Sequence, residues 1–329
     1  MTRIYQFAKA GGPEVLELVE VEENQLGSNE VRIKVKAIGI NRAEAMWRAD
    51  MYIEPVKFPA GLGYEASGVI DALGANVTGL AVGDDVSVIP SFSMNQYFTY
   101  GEVVNLPDFA VVKHPETLSY EEAASVWMMF ITAYGALIED AKVGAGDFVL
   151  IPAASSSVGL AAIQIARYAG ATPIALTRTS AKTEQLLAAG AAHVIATSEE
   201  DLVEEVMRIT EGKGARVAFD PVGGPGFPKL IDALAFQGIV YIYGALAEGE
   251  TPMPVLAMIA KMPTIKAHNI WLTSGDDTRR KAAVRYITAG LADGALKPVI
   301  DRTFAFDDMV EVHRYLENNG QFGKVVVTV

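Results

Sequence analysis

The sequence predicts an α/β protein: a doubly wound parallel sheet joined to a second, β-rich domain that forms a partly open barrel. Three observations carry that expectation. The middle of the chain holds a strand, a tight turn of small residues and a helix in succession. Strands and helices then alternate to the C-terminal side, the pattern of a parallel sheet. To the N-terminal side, short strands are punctuated by glycines with no long helix among them. At 329 residues, with half of them hydrophobic, two domains with ample cores are expected.

The N-terminal part, to about residue 113, supplies the strands of the barrel. Val31, Ile33 and Val35 alternate with Arg32, Lys34 and Lys36, the period of a half-buried strand. Residues 67–73 and 85–89 are expected as further strands, with 97–100 as another, and Gly74, Gly79 and Gly83 mark loops. The pattern changes at residue 120. Ser119 is placed to cap a helix whose first turn carries Glu121 and Glu122. Strands are then expected at 148–151, 173–176, 193–196, 217–220, 239–243 and 264–270. Helices at 160–169, 181–189, 201–210 and 227–235 separate them. The last stretch, from 278, reads as two helices and a final strand at 324–329 that returns to the first domain. The expected domains are therefore 1–119 with 272–329, and 120–271.

The central turn is the first candidate binding element. It runs from Ala153 through Ser155, Ser156, Ser157 and Val158 to Gly159, aiming backbone N–H groups and a positive helix end at one point suited to a phosphate. The dinucleotide fingerprint G-x-G-x-x-G falls on Ala154, Ser156 and Gly159, so only its third glycine is kept, the one needed for close helix–strand packing. The fingerprint also expects an acid about 20 residues on, to hold the ribose 2′-hydroxyl. The next strand instead ends Thr177-Arg178-Thr179-Ser180-Ala181-Lys182. Two readings follow. Arg178 and Lys182, with the hydroxyls of Thr177, Thr179 and Ser180, grip a 2′-phosphate, which points to NADP(H). Alternatively, Ser180 caps the following helix and both cations are solvated.

Composition removes other functions. The net charge of −13 argues against a nucleic-acid surface or a polybasic membrane patch. There is no cysteine, which excludes disulfides, thiolate nucleophiles and cysteine-held zinc or iron–sulfur centres. His114, His193, His268 and His313 are isolated and offer no ligand spacing. The N-terminus lacks the apolar core of a secretion signal, and the apolar run 126–138 is too short to span a bilayer. A cytoplasmic protein that binds neither membrane nor nucleic acid is expected.

Together these residues make up a family pattern. The chain resembles the medium-chain dehydrogenase/reductase superfamily and, within it, the zinc-free quinone oxidoreductase-like branch. The resemblance runs end to end. It rests on Gly39-Ile-Asn41-Arg42, Gly61-Leu-Gly-Tyr-Glu65-Ala-Ser-Gly68, Gly83-Asp-Asp-Val86, the turn up to Gly159, Leu187-Ala-Ala-Gly190, Phe219-Asp-Pro-Val-Gly-Gly224 and Gly323-Lys-Val-Val-Val327. It implies a Rossmann domain with a GroES-like catalytic domain, a cofactor in the cleft between them, hydride transfer from a nicotinamide, and a homodimer formed through the last strands of the cofactor sheet. In zinc-bearing relatives a cysteine stands where Asn41 is and a histidine where Tyr64 is. An alcohol dehydrogenase of that type needs zinc as Lewis acid, so metal-free reduction of a quinone or of the double bond of an α,β-unsaturated carbonyl is the expected chemistry.

The resemblance assigns candidate roles residue by residue. Tyr52 lies in a loop that faces the nicotinamide, and Asn41, in a ligand position, points into the cleft. Both are candidate donors to an oxygen that gains charge; a turn-satisfying Asn41 and a loop-packing Tyr52 stay open. Val222, Gly223, Gly244 and Lys324 are expected at the cofactor. Tyr64, Phe92 and Met94 are candidates to line a pocket for a hydrophobic small molecule. Phe92 and Met94 sit in a polar loop where a core role is less natural, whereas Trp127, Met128 and Met129 read as helix core. Glu65 reads as one half of an internal ion pair. A second function class stays open, a non-catalytic NADPH-binding redox sensor or structural protein, since this fold can outlive its chemistry.

Overall fold

The computed structural model describes residues 1–329. The chain forms two compact units, one of Met1–Met128, Ser274–Lys281 and Pro298–Val329, the other of Met129–Thr273 and Ala282–Lys297. No helix is long and apolar enough to cross a membrane.

The second unit is built on six parallel strands in the order His193–Ala196, Thr172–Thr177, Phe148–Ile151, Ala215–Asp220, Leu234–Ile242 and Thr264–Ala267. This is the Rossmann order, with the first strand in sequence near the middle. Strands covered on both faces must be apolar throughout, and Val149, Leu150, Ile151, Ile174, Val217, Ala218 and Val240 are buried accordingly. Helix Ser157–Tyr168 presents Leu160, Ile163 and Ala166 to the sheet, and each large side chain buried this way stabilises the fold by about 1.5–3 kcal/mol. Ser156 caps it, accepting from Gly159 N at 3.1 Å. Asp201 caps helix Leu202–Ile209 by accepting from Val203 N and Glu204 N, and Leu202 and Val206 anchor that helix in the core.

The first unit contains a seven-stranded sheet, mostly antiparallel. Its main path is Ile300–Ala305, Lys324–Thr328, Glu30–Ile40, Glu65–Leu73, Asp85–Val88 and Val111–Lys113, with Val103–Pro107 pairing on Glu30–Ile40. Glu30–Ile40 alternates buried and open positions as far as Lys36, and its last four residues are buried. A small sheet of Thr2–Phe7, Glu17–Val21 and Ala60–Gly61 completes the unit.

Several expectations change in detail. Residues 97–100 are not a strand. Thr99 N and Tyr100 N both turn to Leu62 O, so no ladder propagates. The strand expected at 264–270 stops at Ala267, where Asn269 Oδ1 accepts from Trp271 N and turns the chain into a short helix. Strand Ile300–Ala305 falls in a stretch read as helices and a final strand. It exists because the final strand gives it a parallel partner. The helix expected at 181–189 begins as a 3-10 turn at Ser180–Lys182 and continues as helix Thr183–Ala188. Ser180 is not its cap; its backbone N–H donates to Glu199 Oε1 at 3.1 Å.

Candidate active site

In the first unit the site grows from the end of strand Glu30–Ile40. Asn41-Arg-Ala-Glu44 is a capping-box spacing, and it opens helix Arg42–Arg48 with Glu44 Oε2 accepting from Asn41 N at 2.6 Å. Both residues are buried, and so are Glu65 and Lys324. The four form one polar cluster. Lys324 Nζ donates to Asn41 Oδ1 at 2.5 Å and to Glu65 Oε2. Asn41 Nδ2 faces Glu44 Oε1 at 3.1 Å, Glu65 Oε2 at 3.2 Å and Gly39 O at 3.3 Å. Glu65 Oε1 accepts from Met128 N at 2.8 Å. Burial pushes the Glu44 carboxyl up to about 7, with the Lys324 charge opposing the rise.

The internal ion pair expected of Glu65 therefore has Lys324 as its cation. Lys324, expected at the cofactor, has its ammonium committed inside this cluster, and both ends of the Asn41 amide are committed there too. The donor set does not suit a metal. Tyr64 stands in one ligand position, an ammonium sits on Asn41 and Glu65, and no group of three or more His, Cys, Asp or Glu side chains is arranged to hold an ion.

Helix Arg42–Arg48 leads to Tyr52. Its end is pinned by Arg48, which donates to Gly11 O at 3.0 Å, pairs with Glu317 at 2.7 Å and meets His313 Nδ1 at 2.6 Å. The loop beyond is tied down by Glu54, which accepts from Ser93 Oγ at 2.8 Å and Asn95 Nδ2 at 2.9 Å. Half-buried Tyr52 sits between the Trp47 ring, 6.3 Å away edge-on, and the Tyr64 ring, also at 6.3 Å. Tyr64 packs on Phe92 at 5.8 Å, and Phe92 on Tyr97 at 6.0 Å. The Tyr64 hydroxyl is buried and is held far above the usual phenol range by burial and by neighbouring Tyr52.

Phe92 and Met94 are buried, contrary to the expectation from their polar loop. The loop folds its apolar members inward, with Met94 Sδ accepting from Gly63 N at 3.3 Å. The exposed apolar side chains near Tyr52 are instead Met51 and Ile53.

In the second unit the central turn has the expected form. Ala153 takes a left-handed φ of 48° where a glycine would fit without cost. Gly159 is obligatory, because a Cβ there would lie 2.6 Å from Ala153 O and 2.7 Å from Ala154 O. Lys182 Nζ donates to Ser155 Oγ at 3.2 Å, joining the two parts of the expected phosphate site, and Arg178 and Thr179 are exposed beside them. Thr177 ends its strand, and its carbonyl accepts from Thr197 N at 2.8 Å. Val222 N and Gly223 N are already held by buried Asp220 at 2.8 and 3.1 Å, and the Val222 carbonyl accepts from Ala247 N at 2.9 Å. Gly244 is needed because a Cβ would approach Pro221 O to 2.7 Å.

Comparison with known proteins bears on the identity of this fold and site. The alcohol dehydrogenase GroES-like domain matches residues 27–116, and the zinc-binding dehydrogenase family matches 157–287. A quinone oxidoreductase of Salmonella typhimurium is 32% identical over 326 residues, covering 98% of each chain. The chain belongs to the quinone oxidoreductase-like branch of the medium-chain dehydrogenase/reductase superfamily. Two solved structures share its fold. A quinone oxidoreductase of Escherichia coli complexed with NADPH superposes with a TM-score of 0.90 at 28% identity, covering 99% of this chain and all of that one. An NAD-dependent alcohol dehydrogenase superposes with the same TM-score at 32% identity, covering 99% of each chain.

Sequence reasoning missed Glu44, although the Asn41-Arg-Ala-Glu44 capping-box spacing could have found it, and it expected Lys324 at the cofactor. The meeting of Lys324 with Asn41 left no local signal, because 283 positions separate them.

Proposed function

We propose that this protein is an NADPH-dependent reductase of quinones or of the activated double bond of α,β-unsaturated carbonyl compounds, working without a metal. One observation carries the reading. The positions that a catalytic zinc would need are filled by Asn41, Tyr64 and Glu65, and Asn41 and Glu65 are locked together with Lys324. Oxidising an alcohol calls for a Lewis acid to lower the alcohol's pKa, whereas an enone or quinone oxygen needs only a hydrogen-bond donor as it gains charge. The solved relative with NADPH supports the cofactor class.

The central turn suits the dinucleotide. Gly159 lets the helix pack closely on the turn, Ser155 and Lys182 offer donors for phosphate oxygens, and Arg178 and Thr179 stand exposed at the end of the strand that precedes them. Bound there, NADPH supplies the hydride. Tyr52 donates to the substrate oxygen, and Asn41 acts by holding the start of the helix that leads to Tyr52. Met51 and Ile53 give an apolar rim to a hydrophobic acceptor. The protein works in the cytoplasm as a homodimer.

Tyr52→Phe tests the donor. It keeps the ring and removes the hydroxyl, so kcat should fall about 10²–10³-fold with NADPH affinity unchanged. A loss within a few-fold assigns the donor to backbone or solvent.

A further inference from the structure

We infer that Lys324 is a positioning residue, whose buried ammonium sets the orientation of the Asn41 amide and through it the placement of Tyr52. The inference rests on the reductase reading of the same site.

The amide of Asn41 has two ends of opposite polarity. Its oxygen lies on the ammonium of Lys324 at 2.5 Å, and its nitrogen faces the carboxylates of Glu44 and Glu65 at 3.1 and 3.2 Å. Turning the amide over would set N–H against the ammonium and oxygen against two carboxylates, all in a buried setting where such clashes are costly. The cation therefore decides the orientation. The fold makes room for it: a Cβ on Gly39 would lie 2.9 Å from Lys324 Cε and 1.9 Å from Ala124 O, so the stem of Lys324 passes over a glycine.

Two short paths lead from Lys324 to Tyr52. One runs through Asn41, whose backbone N–H rests on Glu44, into helix Arg42–Arg48 and the Trp47 ring that meets Tyr52 edge-on. The other runs through Glu65 to its neighbour Tyr64. The Tyr64 backbone N–H donates to Glu44 Oε1 at 3.2 Å, and its ring lies against Tyr52. The cluster thus ties the last strand of the chain to both supports of the proposed donor.

Removing only the lysine would strand Glu65 as a buried unpaired charge and could unfold the protein. The test therefore uses the double variant Lys324→Met/Glu65→Gln, which keeps volume and removes both charges of the pair, beside Glu65→Gln alone, in which the ammonium keeps Asn41 Oδ1 and the nearby Glu44 carboxyl. Three readouts apply: melting temperature, the split of kcat from the KM for NADPH, and hydrogen exchange of the Asn41 side-chain amide in asparagine-labelled protein. The double variant is expected to fold, to lose tenfold or more in kcat with the KM for NADPH within twofold, and to lose exchange protection at Asn41. Glu65→Gln should keep the protection at Asn41. A double variant with parental kcat, or with a still protected Asn41 amide, overturns the proposal. So does a Glu65→Gln variant that loses the protection at Asn41 as the double variant does. If the parent turns over no quinone or enone, the reductase reading fails, and the Asn41 exchange measurement still decides the role of Lys324. A double variant that does not fold leaves the decision to Glu65→Gln, where lost protection at Asn41 counts against Lys324.

Discussion

Arg48 Nη1 lies 2.6 Å from His313 Nδ1, and both residues are buried. A guanidinium always donates, so Nδ1 is the acceptor and the ring is neutral, its proton on Nε2 facing the Tyr100 hydroxyl at 3.3 Å. Burial, and then the Arg48 charge, lower His313 to about 3. Since this pKa lies below the unfolded value, the neutral ring contributes stability that is fully present above about pH 6.5 and is lost as pH falls from there towards 3, at about 1.4 kcal/mol per pH unit. Glu44, raised to about 7, works in the opposite sense: its penalty grows as pH rises from about 4.5 to 7.

Thermal melts of the parent and of His313→Gln, whose amide oxygen can still accept from Arg48, separate the two. Between pH 7 and pH 4.5 the parent should lose more stability than the variant, by about 2–3 kcal/mol. Parallel pH profiles would place the stabilising contact elsewhere.

The proposed preference for NADPH rests on Arg178 and Lys182. Arg178→Ala should weaken NADPH by about 1.5–3 kcal/mol, the worth of a charge-assisted contact, and leave NADH nearly untouched. Titration of both cofactors against parent and variant checks this. Glu199, whose carboxylate reaches the same loop through Ser180 N, makes the outcome informative, since an acid there disfavours a 2′-phosphate. Equal affinities of the parent for the two cofactors would count against the phosphate role.

Much of the fold was legible in the sequence, and the site only in part. The parallel strands announce themselves as apolar runs with helices between them, because a strand covered on both faces has no polar side. The barrel strands announce themselves by alternation, as at Val31, Ile33 and Val35. Loops hid more. Phe92 and Met94 sit among polar neighbours, and nothing local says that their loop turns them inward onto Tyr64 and Gly63. The Lys324 cluster depends on a strand pairing across nearly the whole chain, with Val325 opposite Ile40, and no local period encodes that.

Assembly is the next expectation. Thr264–Ala267 is the outer strand of the parallel sheet, with one side unpaired. Nearby in sequence, helix Val255–Lys261 buries none of its residues, and Leu256 and Ile259 are 83% and 69% exposed. An open edge beside exposed apolar side chains suits a second copy of the chain. Light scattering at micromolar concentration should give twice the chain mass, and Leu256→Glu/Ile259→Glu should shift it towards one. A parent at the single-chain mass would contradict the homodimer.

The measurement closest to the central claim is acceptor-dependent oxidation of NADPH by the purified protein, with a panel of quinones and enones, before and after exhaustive chelation. The account predicts turnover with at least one of these acceptors, faster with NADPH than with NADH, and the same rate after chelation. No acceptor-dependent oxidation across the panel would contradict it, and so would activity that chelation abolishes and added zinc restores.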